Sequence, residues 1–248
     1  MKRIKGYLEK IADAVCPDDI YCISCGRVTD RNNYYGLCHS CLDAFHFATG
    51  RVCMKCGKIL EEGYISDICR DCKKYERDFE KGYCCMLYGL YEREVIKAFK
   101  YGDKAYYGRF FGEMMYDRVE PVFERDIQAD IIVPVPLHRS KLAKRGYNQS
   151  GILSRQLSQR LGIPMVEALK RVKKTKPMSS INGQERRDNL ESAFAVPPFM
   201  KQKVADKKVL LVDDIFTIGS TADACSKVLK NAGASAIIVL ALAAGGNV

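Results

Sequence analysis

The stretch "KVLLVDDIFTIGSTADAC", from Lys208 to Cys225, decides the fold of this chain. Four apolar residues precede the adjacent aspartates Asp213 and Asp214, and a loop rich in Gly, Ser and Thr follows them. An apolar run of this length predicts a buried strand, and the residues from Gly219 onward have helical spacing. The stretch therefore predicts a strand, a turn and a helix, with two like charges where the buried strand reaches a crevice.

The same alternation of strands and helices extends over the C-terminal two thirds of the chain. The predicted strands are rich in β-branched residues and apolar on both faces, and their alternation with helices indicates an α/β domain with a mostly parallel sheet. In such a sheet the ligand crevice lies at the carboxyl ends of the strands. We predict an N-terminal helix at 1–20, a cysteine-rich module at 21–80 and the α/β domain at 81–248. The predicted strands are 129–136, 207–215 and 235–244, and the predicted helices are 91–102, 106–123, 147–162 and 219–234.

Eight of the twelve cysteines form an internal repeat, C-x2-C-x12-C-x2-C, whose second copy follows the first at an offset of 31 residues. Each C-x2-C pair brings two thiolates to one side of a tight turn, and two pairs complete a tetrahedral site for zinc. We therefore predict two structural zinc ions and prefer pairing in chain order, although interleaved pairing and buried or redox-active thiols remain alternatives. The predicted ligands are Cys22, Cys25, Cys38 and Cys41 in the first set and Cys53, Cys56, Cys69 and Cys72 in the second.

The composition is that of a globular protein with a formal net charge of +10. No run of eighteen apolar residues occurs, and the N-terminus lacks the apolar stretch of a signal peptide, so we expect a cytoplasmic protein without membrane insertion. Residues 138–187 hold 13 basic and two acidic residues, whereas residues 1–80 are balanced. The basic excess predicts an anionic partner or a solvated loop there, and the cysteine module lacks a nucleic-acid footprint.

The residues after the apolar run suggest a ligand. Two ionised aspartates at the crevice would accept hydrogen bonds from hydroxyls, and the loop 217–221 leads into a helix N-terminus that attracts a phosphate. Together they describe a ribose 5-phosphate pocket. The alternative is an Asp–Asp turn in which Ser220 or Thr221 serves only as a helix N-cap.

The segment "VLLVDDIFTIGST" resembles the phosphoribosyl pyrophosphate (PRPP) signature of type I phosphoribosyltransferases. The whole chain resembles the competence protein ComF (GntX-like) family, in which zinc ribbons precede a phosphoribosyltransferase-like domain. The elements that carry this resemblance, besides the cysteine pairs, are "FKYGD" (Phe99–Asp103), "VPVPLHRSKLAKRGYNQS" (Val133–Ser150) and "RVKKTKPMSSINGQERRDNLESAF" (Arg171–Phe194).

The resemblance implies roles for particular residues. Asp213 and Asp214 would bind the ribose 2′- and 3′-hydroxyls, directly or through Mg²⁺. The basic run Arg171–Arg187 would be the flexible loop that closes over the site. The 5-phosphate would be held by Thr217, Ile218, Gly219, Ser220 and Thr221, and the pyrophosphate by the turn Pro136–Arg139, with Leu137, His138 and Arg139.

Two departures from the pattern bear on the reaction. Ile218 stands where such loops commonly have a second Thr, and Thr217 stands where 6-oxopurine salvage enzymes carry a catalytic Asp. We therefore do not expect hypoxanthine or guanine as acceptor. Three hypotheses follow: a transferase that passes phosphoribosyl to an unknown acceptor and releases pyrophosphate, a non-catalytic protein that binds single-stranded DNA through its basic face, and a module whose ribbons dock a helicase-like competence partner.

Overall fold

The structure is a computed structural model that describes residues 20–29, 33–173, 190 and 192–246. Most of the predicted N-terminal helix and residues 174–187 of the predicted closing loop lie outside these ranges. The chain divides into two compact units, Met1–Phe45 and His46–Val248. This boundary falls between the two cysteine sets, so the second set belongs to the same unit as the sheet. The predicted domain limits at 20 and 80 remain predictions.

The first unit is built around the first cysteine set. A 3-10 turn at Tyr34–Gly36 precedes helix α1, His39–Ala44. An antiparallel bridge between Tyr21 and Val28 closes the turn that carries the first C-x2-C pair. Gly26, directly after this pair, has a φ of 72°, a conformation that glycine adopts without steric cost.

The second unit contains the sheet and its helices, and its elements follow the predicted alternation. The predicted helix 106–123 ends at Val119 and continues as irregular turns from Glu120 to Ile127. In chain order the elements are α2 Arg70–Lys74, β1 Lys81–Leu87, α3 Leu90–Tyr101, α4 Tyr107–Val119, β2 Ile131–Pro134, α5 Arg139–Arg145, α6 Gln149–Leu161, β3 Lys170–Arg171, β4 Phe194–Ala195, α7 Lys201–Val204, β5 Lys208–Phe216, α8 Ser220–Asn231 and β6 Ala236–Ala244.

Four strands form a parallel sheet in the order β1-β6-β5-β2, which confirms the predicted α/β class. Strands β3 and β4 form a separate antiparallel pair. Helices α4 and α6 pack on each other and on the sheet, and α8 packs against β5 and β6. The sequence analysis missed β1, so β2, which it expected to be the first strand of the domain, is the second strand in chain order.

The register of β5 explains how two aspartates fit into a buried strand. On one side β5 pairs with β6 as far as Phe216 and Ala244, but on the other side its pairing with β2 stops at Pro134 and Val212. The strand therefore does not end at the acid pair, as the sequence suggested. Instead it loses one neighbour there, and the aspartates lie beside the opening that β2 leaves.

The second ribbon contributes to the core of the sheet. Cys53, Cys56 and Cys69 belong to the same buried cluster as Val209 of β5 and Val239 of β6. A zinc ribbon has too few apolar residues for a core of its own, and this one shares the core of its neighbour.

A close approach of two backbones joins the ribbon to β1. A Cβ on Gly57 would lie 2.6 Å from the carbonyl oxygen of Gly82, and a Cβ on Gly82 would lie 2.8 Å from that of Cys56. Only glycine permits such an approach at both positions.

Candidate ligand site at the carboxyl edge of the sheet

The two aspartates of β5 have different partners. Lys100 Nζ at the end of α3 lies 2.8 Å from Asp214 Oδ1, and both side chains are less than 15% exposed, at 14% and 13%. Asp213 Oδ1 accepts hydrogen bonds from Ser150 Oγ at 3.2 Å and from the backbone N–H of Asp214 at 2.9 Å. One carboxylate is thus neutralised by a cation, whereas the other is held by neutral donors.

This difference appears in the pKa of Asp213. Desolvation of its carboxyl and the charge of Asp214 raise its pKa to about 7, against the smaller lowering effects of Lys100, the Asp214 N–H and Ser150. At neutral pH Asp213 is therefore protonated in part, whereas the sequence analysis expected two ionised carboxyls. A hydroxyl or a cation that arrives at the site would favour its ionised form.

The segment "RGYNQS", Arg145–Ser150, ties three elements together at the site. The Tyr147 hydroxyl donates to the carbonyl of Phe99 in α3. Asn148 Nδ2 donates to the carbonyl of Val135 after β2, at 3.1 Å. With Ser150 on Asp213, these contacts hold α3, the end of β2 and the acid pair in a fixed relation. The motif thus has a structural role that its sequence did not reveal.

The loop after β5 leads into α8 as predicted, and its helix N-terminus has no side-chain cap among the described residues. Gly219 is the N-cap residue, with a φ of 89°, and Ser220 is the first helical residue. The alternative in which Ser220 or Thr221 serves as N-cap is therefore wrong. The first-turn N–H groups and the positive end of the helix dipole form the kind of site that binds a phosphate.

Basic side chains surround the acid pair. Partial desolvation lowers the pKa of Lys141, and the charges of Arg171, Arg145 and Lys100 lower it further, while Asp214 opposes them. Burial also lowers the pKa of Arg171, against the charges of Cys225 and Asp213. These mutual effects show that cations from α3, α5 and β3 converge on one edge of the sheet.

The predicted pyrophosphate turn takes up a more local role than expected. The His138 ring accepts from the Ser140 N–H at 3.3 Å and so caps α5. Leu137 lines an open cleft of about 520 Å³ together with Tyr147 and Arg155. Arg139 is exposed at the start of α5. The turn lies at the end of β2, next to β5. Arg139 contributes an exposed positive charge there.

The eight predicted zinc ligands form two groups in chain order. Within each group all four sulfur atoms lie within 4.8 Å of one another. Cys25 Sγ and Cys38 Sγ are 3.7 Å apart, and Cys56 Sγ and Cys69 Sγ are 3.6 Å apart. A tetrahedral site with Zn–S bonds of about 2.3 Å requires sulfur separations of roughly 3.8 Å. Both groups therefore fit a zinc ion.

Backbone donors assist ionisation of one thiol of the first group. Burial opposes ionisation of the Cys22 thiol, yet the backbone N–H groups of Cys25, Cys38 and Ser24 together lower its pKa to about 7. Thiolates are the form that binds metal.

Sequence reasoning missed several residues that the structure brings to the site. Lys100 and Ser150 lie in segments that carry the family resemblance, so a signal was present without a role. Arg77, between the second cysteine set and the loop, carried no signal at all. Arg77 contacts Ile218 and Asp223, which lie 141 and 146 positions further along the chain, and no local sequence pattern discloses such contacts.

Comparison with known proteins supports both parts of the chain. A double zinc ribbon family model matches residues 11–90, and a phosphoribosyl transferase domain model matches residues 142–247. Competence protein F of Haemophilus influenzae is 33% identical over 233 residues, which cover 90% of this chain and 96% of that protein. The chain belongs to the competence protein F family.

Other relatives are more distant. Competence protein ComFC of Bacillus subtilis is 23% identical and covers 82% of this chain and 81% of its own length. Among solved structures, a glutamine PRPP amidotransferase from B. subtilis matches 54% of this chain and 25% of its own, with 20% identity and a TM-score of 0.36. The family model, together with the parallel sheet, makes the fold phosphoribosyltransferase-like. In the part of the chain that is described, no helix combines the length and apolar character needed to span a bilayer.

Proposed function

We propose that this member of the competence protein F family is a cytoplasmic protein of DNA uptake that binds PRPP, together with Mg²⁺, at the carboxyl edge of its sheet. The observation that carries the proposal is the meeting of three groups there: the acid pair Asp213 and Asp214, the uncapped N-terminus of α8 and the converging basic side chains. These groups match the diol, the 5-phosphate and the pyrophosphate of PRPP. The eleven described cysteines are free thiols, which suits a reducing compartment and metal binding.

The acid pair would accept the ribose hydroxyls. Asp214 is held in place by Lys100, and Asp213 by Ser150, so both carboxyls are already oriented before a ligand arrives. Such preorganisation lowers the entropic cost of binding. Carboxylate oxygens are also the ligands that Mg²⁺ takes, usually one or two of them with substrate phosphates. Because Lys100 already occupies one side of Asp214, the pair fits hydroxyl recognition better than a complete metal cage.

The loop 217–221 would hold the 5-phosphate through its backbone. Ile218 has no side-chain donor, so the backbone N–H groups of the loop and of the first turn of α8 carry the interaction, with the hydroxyls of Thr217 and Thr221 beside them. Both threonines are partly exposed and remain accessible. Helix dipole and N–H donors together favour a doubly charged phosphate.

The basic side chains would hold the pyrophosphate. The charges of Lys141 and Arg171 act on the acid pair, that of Arg145 acts on Lys141, and Arg139 lies exposed at the start of α5. The basic run continues through residues 174–187, outside the described residues. A pyrophosphate leaving group carries several negative charges, of which Mg²⁺ neutralises only part. The cations would stabilise the charge that develops as the bond between C1 and the pyrophosphate oxygen breaks.

We propose further that the bound PRPP transfers its phosphoribosyl group. The C1–oxygen bond to pyrophosphate breaks, a nucleophilic atom of an acceptor forms a new bond to C1, and pyrophosphate leaves with the bonding electron pair. The acid pair next to the ribose would stabilise the positive charge of the oxocarbenium-like centre. The acceptor is unidentified, and Thr217 argues against a 6-oxopurine.

Binding is tested by calorimetric titration with PRPP and Mg²⁺ at pH 8, above the pKa of Asp213. We expect Asp213→Asn to weaken binding by tenfold or more, since a hydrogen bond to a charged acceptor contributes about 1.5–3 kcal/mol. Asp67→Asn is the matched control, because Asp67 is 65% exposed and pairs with Arg51 of the same ribbon, away from the acid pair. Wild-type protein that gives neither heat nor a thermal shift with PRPP and Mg²⁺ would refute the proposal.

A second candidate function is single-stranded DNA binding, favoured by one feature of the surface. The Arg145 guanidinium lies 4.5 Å from the ring centroid of Tyr101, and Tyr101 is 67% exposed. Exposed aromatic rings beside cations stack bases and attract the phosphate backbone. The neighbouring residues Arg139, Lys141 and Lys144 are exposed as well.

This candidate predicts a steep loss of DNA affinity with salt, which should become shallower when Lys141, Lys144 and Arg145 are neutralised together. Tyr101→Ala should weaken binding to a single-stranded oligonucleotide by roughly tenfold, since base stacking contributes about 1–3 kcal/mol. Tyr91→Ala, which removes a 51% exposed ring from the start of the same helix, is the control. Equal losses for Tyr101→Ala and Tyr91→Ala would exclude a stacking role for Tyr101.

A further inference from the structure

Arg77 is a buried guanidinium that connects the second cysteine set with the loop 217–221. Its Nε donates to Cys72 Sγ at 3.3 Å. Its Nη1 donates to the carbonyl oxygen of Ile218 at 2.8 Å and to Asp223 Oδ2 at 2.8 Å. One side chain therefore touches a predicted zinc ligand, the backbone of the predicted phosphate loop and the first turn of α8.

The surroundings of Arg77 leave it little freedom. Its side chain is 1% exposed and that of Asp223 is 4% exposed. The loop packs directly on the guanidinium, because a Cβ on Gly219 would lie 2.5 Å from Arg77 Nη1 and 2.7 Å from the ring of Phe216. A planar guanidinium with fixed donor directions holds such a set of partners in one geometry, which a lysine cannot reproduce.

The contact with Ile218 sets the direction of a neighbouring donor. In a trans peptide the carbonyl and the following N–H point in opposite directions. Because the Ile218 carbonyl points at Arg77, the N–H of Gly219 points to the other face of the loop. A phosphate that accepts from this N–H must lie on that face. If the peptide turned over, the loop would present a carbonyl oxygen to the phosphate and repel it.

The contact with Cys72 extends this effect to the metal site. A metal-bound thiolate has a fixed position and accepts hydrogen bonds from neighbouring N–H groups. The four sulfurs of the second set lie within 4.8 Å of one another, so they fit a zinc ion, and the Arg77 Nε contact is made to one of them. Loss of the metal would release Cys72 and with it one of the three anchors of Arg77.

We propose that Arg77 is a positioning residue that holds the Ile218–Gly219 peptide in its phosphate-accepting orientation and makes this orientation depend on metal binding at Cys53, Cys56, Cys69 and Cys72. The inference rests on the proposed function, since it takes the loop to bind a 5-phosphate. Metal and phosphate then influence each other reciprocally: each raises the affinity of the protein for the other.

The first experiment needs no ligand. Amide hydrogen exchange of residues 217–221 is compared with that of α6 in zinc-loaded wild type, Arg77→Lys and Arg51→Lys. Arg51 is the control, because it belongs to the same ribbon and its side chain bonds to Tyr64 and Asp67, away from the loop. We expect exchange in the loop to rise at least tenfold in Arg77→Lys alone, with α6 unchanged. Unchanged loop exchange would overturn the proposal, whether or not PRPP binds.

The second experiment measures the reciprocal effect, which a merely structural role of Arg77 would not produce. Zinc release to a chromogenic chelator is followed with and without ribose 5-phosphate. In wild type we expect the sugar phosphate to slow release from the second set at least threefold and to leave the first set unchanged. In Arg77→Lys the slowing should disappear while both metals still bind.

The outcomes separate this inference from the proposed function. If wild type binds ribose 5-phosphate by calorimetry and zinc release does not respond, the coupling is wrong and the proposed function stands. If wild type binds neither ribose 5-phosphate nor PRPP with Mg²⁺, the proposed function fails, and hydrogen exchange alone decides whether Arg77 positions the loop. If Arg77→Lys does not fold, Asp223→Asn replaces it, because it weakens the same anchor from α8, and a smaller rise in loop exchange is then expected.

Discussion

The two cysteine ribbons have identical spacing but different surroundings. In the first, Cys25 is exposed and a Cβ on Gly26 would meet no atom of the described residues within 4 Å. In the second, Cys56 is 1% exposed, Cys69 is buried completely, and Gly57 touches the backbone of β1. The spacing specifies a metal site in both cases. What the metal site supports depends on its neighbours, and the second site shares a core with the sheet.

Charged residues at matched positions of the repeat follow the same division. Lys58 in the second ribbon is 2% exposed, and its Nζ lies 2.6 Å from Asp71 Oδ2. Arg27, at the equivalent position 31 residues earlier, is exposed. A buried ion pair is stable only when both partners are present and well oriented. The second ribbon therefore tolerates fewer substitutions than the first, although the two have the same cysteine spacing.

The largest expected effect separates the two metal sites. Cys56→Ser should abolish cooperative unfolding of the unit His46–Val248 or lower its stability by roughly 5 kcal/mol or more, because structural zinc contributes folding energy directly. Cys25→Ser should leave the unfolding of that unit within about 0.5 kcal/mol of wild type, the range of ordinary surface substitutions. Calorimetry with metal analysis measures both. Equal losses in the two variants would show that the ribbons are equivalent after all.

A smaller effect is expected at the glycines that follow the C-x2-C pairs. Gly26 and Gly57 have φ values of 72° and 75°, so alanine is strained by a similar amount, about 1 kcal/mol, at either position. Gly57→Ala should cost about 3 kcal/mol in total, because its Cβ would also lie 2.6 Å from the Gly82 carbonyl oxygen. Chemical denaturation of the two variants isolates the difference. If both variants lose the same free energy of unfolding, the close approach of the ribbon to β1 does not contribute to stability.

The pH dependence of stability distinguishes the unit that contains the acid pair. The pKa of Asp213 is raised from 3.8 to about 7, so the folded state binds this proton more tightly than the unfolded chain does. The free energy of unfolding of the unit His46–Val248 should therefore fall as the pH rises from about 4 to about 7. Asp213→Asn should raise the free energy of unfolding at pH 8 by about 2 kcal/mol, half of the roughly 4 kcal/mol that a full three-unit shift represents, and the gain should vanish near pH 4.

The control for this experiment is the neighbouring aspartate. Asp214→Asn leaves Lys100 without its carboxylate in a mostly buried position, so we expect it to lower stability at pH 8. Thermal unfolding at pH 4, 6 and 8 resolves the two signs. Parallel behaviour of the two variants would mean that the pair acts as one unit.

The smallest expected effect concerns the rate of metal loss. A chelator should remove zinc from the first set at least tenfold faster than from the second, a difference of about 1.4 kcal/mol in activation free energy, because its sulfurs are more accessible. The release curve should show two phases of equal amplitude. A Cys25→Ser variant, in which the fast phase is lost, assigns the phases to the sites.

Local patterns were sufficient for the elements of the sheet but not for β1. The strands β5 and β6 were predicted almost to the residue, since each is a continuous apolar run between turn residues. Strand β1 contains "YCC" and directly follows the cysteine-rich segment, and the sequence analysis assigned no strand to it although it placed these residues in the α/β domain. The helix boundaries at Gly162 and Gly233 were also visible, because both glycines have the positive φ that ends a helix.

The candidate site divides in the same way. The acid pair and the helix N-terminus at Gly219 are adjacent in sequence, and their proximity could be predicted. The different protonation of Asp213 and Asp214 could not be predicted, because it depends on Ser150 and Lys100, which lie on other helices. A pKa is set by all charges and donors within a few ångströms, whatever their distance along the chain.

The sequence by itself determined the parallel α/β class, the two cysteine quartets and the acidic end of β5, because strand periodicity, ligand spacing and loop composition are local properties. The tertiary structure alone decided that the second quartet lies in the core of the sheet, that one aspartate is paired and the other is protonated in part, and that Arg77 joins Cys72 to Ile218. These features arise from contacts between segments far apart in the chain, and burial gives such contacts their strength by removing the water that would otherwise weaken them.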